Sequence, residues 1–199
     1  MALRTQYLPG GSPMEFDELS QLIPKDVETQ AQLDVLERQN VFNAQRWLEQ
    51  TRRDLFDEAF AKRLHLKMFG EVWRWGGVYR KTPRVLGVPP ERIPAEMQTL
   101  LRDVKSWIDN QTYTWPQILG LFHYYLVFIQ PFPNGNARFA RLYTETLAKA
   151  YQQKIPTWGE VKFGGGDLHE NCEARTQYIG ALRKADDKKI RFLIEFLYS

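Results

Sequence analysis

Twelve residues, Gln130-Pro131-Phe132-Pro133-Asn134-Gly135-Asn136-Ala137-Arg138-Phe139-Ala140-Arg141, gather the side chains of this chain best suited to chemistry. Pro131 and Pro133 forbid a helix through the turn. Gly135 and Asn136 suit an unusual backbone there. From Asn136 the spacing predicts a helix with Leu142, Thr146, Leu147 and Ala150 on an apolar stripe. A helix start leaves N–H groups without intrahelical partners, and its dipole favours negative charge. Arg138 and Arg141, at i and i+3, both reach that end. The expected chemistry is anion binding, phosphate above all, at Gly135, Asn136, Ala137, Arg138 and Arg141. The alternative for the two arginines is a solvated helix face.

The elements that must position this stretch follow from periodicity and breakers. Residues 1–25, with Pro9, Gly10, Gly11, Pro13 and Pro24, read as an N-terminal arm lying on the domain or partly disordered. Thr29 to Thr51 carries Leu33, Leu36, Asn40, Trp47 and Leu48 near a 3.6-residue period and reads as helix. Asp54 is the expected N-cap of a second helix ending near Met68. Aromatic residues and glycines break the pattern over 69–77. Residues 79–90 hold turn formers around Arg84-Val85-Leu86 and read as a short β-hairpin or an extended flap, with the hairpin preferred. Helices are expected over 94–110, 115–129, 136–153, 168–184 and 186–198, with a loop at 156–166. The fold class expected is all-α, a helical domain over 26–199 with a β-hairpin flap.

Bulk properties exclude several functions. At 199 residues with 43% hydrophobic content, the chain suffices for one packed domain. The net charge of +3 is too small to argue for nucleic acid. No apolar run reaches membrane-spanning length, so no membrane association is expected. Residues 1–13 lack the apolar segment of a secretory signal. The lone Cys172 cannot close an internal disulfide, and its acidic neighbours do not favour a thiolate. The plain reading is a soluble, cytoplasmic protein; translocated effectors leave no mark in composition.

The stretch 130–141 resembles the signature of the Fic (Fido) family, His-Pro-Phe-x-(Asp/Glu)-Gly-Asn-Gly-Arg-x-x-Arg. Pro131, Phe132, Gly135, Asn136, Arg138 and Arg141 match in type. The run His65 to Arg80 and the triplet Phe122-His123-Tyr124 are similar to other Fic segments. Leu22-Ile23-Pro24, Leu33 to Asn40 and Thr157-Trp158-Gly159 resemble the subgroup called mobile mystery protein B. The resemblance spans roughly residues 20–185 and implies a Fic-type helical bundle from a bacterial source. It implies transfer of AMP from ATP to a protein hydroxyl, with a protein target or regulatory partner at the flap 79–90. Arg138 would bind nucleotide phosphates. Arg141 would meet the terminal phosphate or an inhibitory glutamate. Leu36-Glu37-Arg38 resembles the core of the family's inhibitory helix, which makes Glu37 the candidate partner of Arg141 within a helix over 29–51; the alternative for Glu37 is an exposed helical acid.

Three positions depart from the signature. Gln130 stands where the family has its catalytic His, and an amide lacks the basic lone pair of imidazole. Asn134 stands at the metal-binding acid, and a neutral amide is a weaker ligand for Mg²⁺. Ala137 stands at a glycine, at small cost if its backbone is helical. The resemblance therefore implies binding of ATP or another nucleotide with weakened Mg²⁺ and little or no transfer. The alternatives are an active nucleotidyltransferase, toxin- or effector-like, using Gln130 for orientation; an inactivated form of one; and a non-enzymatic partner-binding regulator. His123 is expected to be a core histidine, because two helical turns, about 10.5 Å, separate it from Gln130. Phe69, Trp73, Trp75 and Tyr79 are expected in the core. Lys81, Arg84 and Arg92 would steer an acidic partner or solvate the flap.

Overall fold

Apolar periodicity becomes helices almost where the sequence places them. The structure, a computed structural model, describes residues 13–50, 54–163, 168 and 172–199. In the described part, α1 is Phe16–Leu19, α2 Gln30–Glu49, α3 Glu58–Phe69, α4 Ile93–Asp109, α5 Trp115–Ile129 and α6 Asn136–Ala150. Three more follow: α7 Glu160–Phe163, α8 Glu173–Asp186 and α9 Arg191–Leu197. No described helix is long and apolar enough to cross a membrane.

Helix α5 is the axis of the core. Its Ile118, Leu119, Phe122, Leu126 and Ile129 are buried, and it packs on α4, α6 and α9. A helix apolar on most of its circumference must be covered on most of it. Helix α2 packs on α3 and α3 on α6, while α8 packs on α9. Phe69, Trp73 and Trp75 are buried, as expected of core aromatics. The α2 stripe that is buried is Leu33, Glu37, Asn40 and Ala44, so two polar groups face inward.

Several expectations need correction. Helix α3 starts at Asp57, whose side chain accepts from Ala59 N–H at 3.0 Å. Asp54 instead closes a local turn by accepting from Phe56 N–H at 2.8 Å. Both aspartates carry the same N-cap chemistry, and the later one is in register with the apolar face. Helix α6 ends at Ala150, because Gln152 turns left-handed at φ 54°. Helix α9 starts only at Arg191, after Lys188 breaks the chain at φ 62°. The expected loop at 156–166 contains α7. In the arm, residues 1–12 lie outside the described residues, and the following segment holds α1 and an antiparallel bridge between Leu22 and Trp73.

The β-hairpin flap is not formed: residues 79–90 contain no strand. The backbone donors that would cross-pair go elsewhere. Arg80 N–H bonds to Pro131 O at 3.0 Å and Val88 N–H to Ile129 O at 3.4 Å. Each arm of the flap docks on the end of α5 and the following loop rather than on the other arm. Val85 and Leu86 at the tip are exposed.

Candidate active site

The loop between α5 and α6 is built outward from Phe132, which is fully buried and stacked on His65 with centroids 3.6 Å apart. Asn136 binds both polar groups of Phe132, accepting its N–H at 2.9 Å and donating to its carbonyl at 2.8 Å. The same Asn136 amide donates to Gln130 Oε1 at 3.0 Å. Gln130 sits in left-handed backbone at φ 51° as the C-cap of α5. Gly135, the N-cap of α6, has φ 75°. A β-carbon there would lie 2.4 Å from the Phe69 ring, so both conformation and space require glycine. Asn134 turns its Oδ1 onto the N–H of Gly135. Ala137 lies inside helical backbone, so its methyl costs the loop little.

Arg138 projects toward α2 and α3. Its Nη1 lies 2.6 Å from Glu37 Oε2, and its guanidinium lies 4.7 Å from the centre of the Phe69 ring. Glu37 also accepts the indole N–H of Trp73 at 2.6 Å. The carboxylate that the resemblance set against Arg141 is thus paired with Arg138. The reason is direction: α2 packs on α3, on the side that Arg138 faces, while Arg141 leans to α8. The Arg141 guanidinium lies 6.0 Å from the Tyr178 ring centre. Burial pushes the Tyr178 phenol up to about 12 against the pull of that charge. Of the sequence-derived set, the structure gathers Gln130, Asn134, Gly135, Asn136 and Ala137 in one loop and helix start. It joins Arg138 to Glu37 and turns Arg141 to a separate face.

His65 was not among the expected site residues. It is fully buried, accepts Gly77 N–H at Nδ1 (3.0 Å) and meets Asn134 O at Nε2 (3.1 Å). Because Nδ1 accepts, Nε2 carries the proton and donates to that carbonyl. Burial, aided by the Arg138 charge, holds its pKa down at about 3, so it stays neutral. His123 is a core histidine as expected, fully buried, with Nε2 2.9 Å from the Tyr178 hydroxyl.

Arg80 also lay outside the expected site residues, and Arg84 takes a different place from the one expected of a flap cation. Arg80 is only 2% exposed. It donates to Gln130 O at 2.6 Å, Thr82 O at 2.9 Å, Ile129 O at 3.3 Å and also Val88 O. Arg84 is not a solvated flap cation. It is paired with buried Glu18 of α1 and also donates to Pro133 O at 3.3 Å. A lone arginine in a loop carries no sequence signal for burial; the nearest hint was the turn-rich context around it.

Residues 55–148 match the model of the Fic/DOC family. This stretch, just under half of the chain, is that of a Fic domain. The protein adenylyltransferase Fic of Drosophila grimshawi is 28% identical over 156 residues, covering 75% of this chain and 28% of that protein. The homologue of the same name from Aedes aegypti is 26% identical over 140 residues. The chain thus spans about a quarter of the length of these curated relatives. Among solved structures, the Fic domain of a putative cell filamentation protein from Bartonella quintana gives a TM-score of 0.66 at 18% identity, covering 92% of each chain. The BepC protein of Bartonella tribocorum, solved with bound AMPPNP, gives 0.65 at 16% identity over 92% of this chain and 98% of that one. At such identities the structural likeness fixes the Fic fold.

Proposed function

We propose that this chain is a Fic-fold protein that binds nucleotide phosphates, those of ATP first, at residues 135–138, and transfers AMP poorly or not at all. One observation carries the reading: at the family's base position stands the amide of Gln130, with its oxygen engaged by Asn136. In AMP transfer the target hydroxyl oxygen bonds to the α-phosphorus, the bond to the bridging oxygen breaks, and pyrophosphate leaves. The hydroxyl proton must go to a base. Glutamine takes no proton near neutral pH, and losing a general base costs about 10²–10⁴ in rate. The helix start at Asn136 beside Arg138 supports phosphate binding. The relative with bound AMPPNP and the relatives named adenylyltransferases support the class of ligand and reaction.

Glu37 acts in this reading as a brake, since it neutralises Arg138 until a nucleotide phosphate displaces it. The fit to Mg²⁺ is poor. Asn134 has its amide oxygen on Gly135 N–H rather than turned outward, and Glu37 is committed to Arg138 and Trp73. A protein partner docks at the flap, where Val85 and Leu86 are exposed.

Incubation with ATP and a cell lysate, followed by intact mass spectrometry, tests the reading. The unaltered chain should form almost no AMP adduct on itself or a target. Gln130→His should raise adduct formation by about 10² or more, and further when combined with Glu37→Gly. If the unaltered chain matches the His variant, Gln130 belongs to a working mechanism and the reading is wrong.

A further inference from the structure

The loop that would hold the anion has every carbonyl from residue 129 to 135 committed to a donor. Ile129 O takes Val88 N–H, and Arg80 donates to Ile129 O, Gln130 O and, through its own backbone N–H, Pro131 O. Phe132 O takes Asn136, Pro133 O takes Arg84, and Asn134 O takes His65. Gly135 O takes Phe139 N–H, the first helical bond of α6. In a trans peptide the C=O and the following N–H point in opposite directions. Carbonyls held against the protein on one side therefore leave the following amides on the other. Two of the positions that would follow, Pro131 and Pro133, have no N–H at all. Among the described residues, the N–H groups of Asn134, Asn136, Ala137 and Arg138 have no protein acceptor. A row of such amides is an anion nest.

Five of the donors to this loop come from the flap, and three belong to Arg80. Arg84 is held in turn by Glu18 of α1 and by Thr82, whose hydroxyl lies 3.0 Å from Nη1. The flap lies directly on Gln130: Gly87 has φ 111°, and a β-carbon on it would be 2.8 Å from both Gln130 Cβ and Arg80 Nη2. The geometry points to Arg80 and Arg84 as positioning residues that set the peptide planes of the anion loop from the flap. Flap order and anion binding are then linked, each strengthening the other. The linkage rests on the nucleotide-binding reading above; the positioning itself does not.

Amide hydrogen exchange on the full chain separates the two. Without ligand, Arg84→Met should speed exchange of the bonded amides of the loop and flap, Phe132, Gly135, Arg80 and Val88, about tenfold or more, the loss of one charge-assisted bond. The interior amides of α5 and α6 should stay unchanged. Arg84→Lys should recover much of the protection. Gly87→Ala should reproduce the pattern with both arginines present, and it decides the matter should Arg84→Met not fold. Unchanged exchange in the loop, or an equal rise throughout α5 and α6, overturns the positioning role. With inorganic tripolyphosphate, the unaltered chain should slow exchange at 80–88, and Arg84→Met should bind it about tenfold more weakly. Binding without any change in the flap overturns the linkage. If neither the unaltered chain nor Glu37→Gly binds tripolyphosphate, the nucleotide reading and the linkage fall together, while the ligand-free result still judges the positioning.

Discussion

At position 135 one residue type is possible. Gly135 combines left-handed backbone with a Phe69 ring where any β-carbon would go. Gly135→Ala should lower stability by about 2–4 kcal/mol, read as a drop in denaturation midpoint; a change under 0.5 kcal/mol would mean the ring moves freely. Asn134 gives a second test. Proposed as a poor ligand, it should gain metal dependence as Asn134→Asp, so that Mg²⁺ strengthens ATP binding more in the variant than in the unaltered chain. Identical titrations would refute this. The signature residues were legible because proline, glycine and arginine restrict backbone and charge whatever surrounds them. The pairing of Glu37 was not, because which arginine a carboxylate meets depends on the angle between α2 and α6, and no local pattern encodes that. His65 was illegible for a related reason: its partners, Gly77 N–H and Asn134 O, are backbone groups brought in by packing.

Helices were legible as elements wherever a long apolar stripe ran between clear breakers, and α5 and α4 are the best cases. Thr29 caps α2 with a reciprocal box, its hydroxyl accepting Gln32 N–H at 3.3 Å while Gln32 reaches back to Thr29 N–H at 3.1 Å. Thr29→Ala should cost about 1 kcal/mol. Because α2 carries Glu37, the loss should also loosen the pair with Arg138, visible as faster amide exchange in the first turns of α2. A stability change without that local signature would uncouple the cap from the Glu37–Arg138 pair. The hairpin is where element-level reading failed. Its residues had β propensity and turns, yet a hairpin needs its two arms to pair with each other. Here α5 ends in carbonyls lacking helical donors, and the flap's N–H groups and the Arg80 guanidinium satisfy those instead. The competing acceptor lies about fifty residues away in sequence, beyond the reach of a local pattern.

For the molecule as a whole, burial of His65 and His123 makes acid a destabilising condition. Both are held at about 3 by burial, against an ordinary value of 6.5 in the unfolded chain. Below that value the unfolded state takes up protons that the folded state refuses, so stability is full above pH 6.5 and falls as pH drops toward 3. At pH 5 the loss should be roughly 2 kcal/mol per histidine. Urea midpoints at pH 7.5 and 5 should differ accordingly, and His123→Gln should flatten the difference; equal midpoints would show that the buried rings ionise at little cost. The left-handed backbone of Gln130 bears on how the chain can change over generations. Position 130 asks of its side chain a tolerance for left-handed backbone and an acceptor for Asn136. Histidine meets both demands as well as glutamine does. The codons of the two amino acids differ only at the third base. A single nucleotide change would thus exchange an amide for an imidazole at the head of the loop while leaving the fold nearly indifferent, so that, on the proposed function, a poor transferase and a competent one lie one mutation apart.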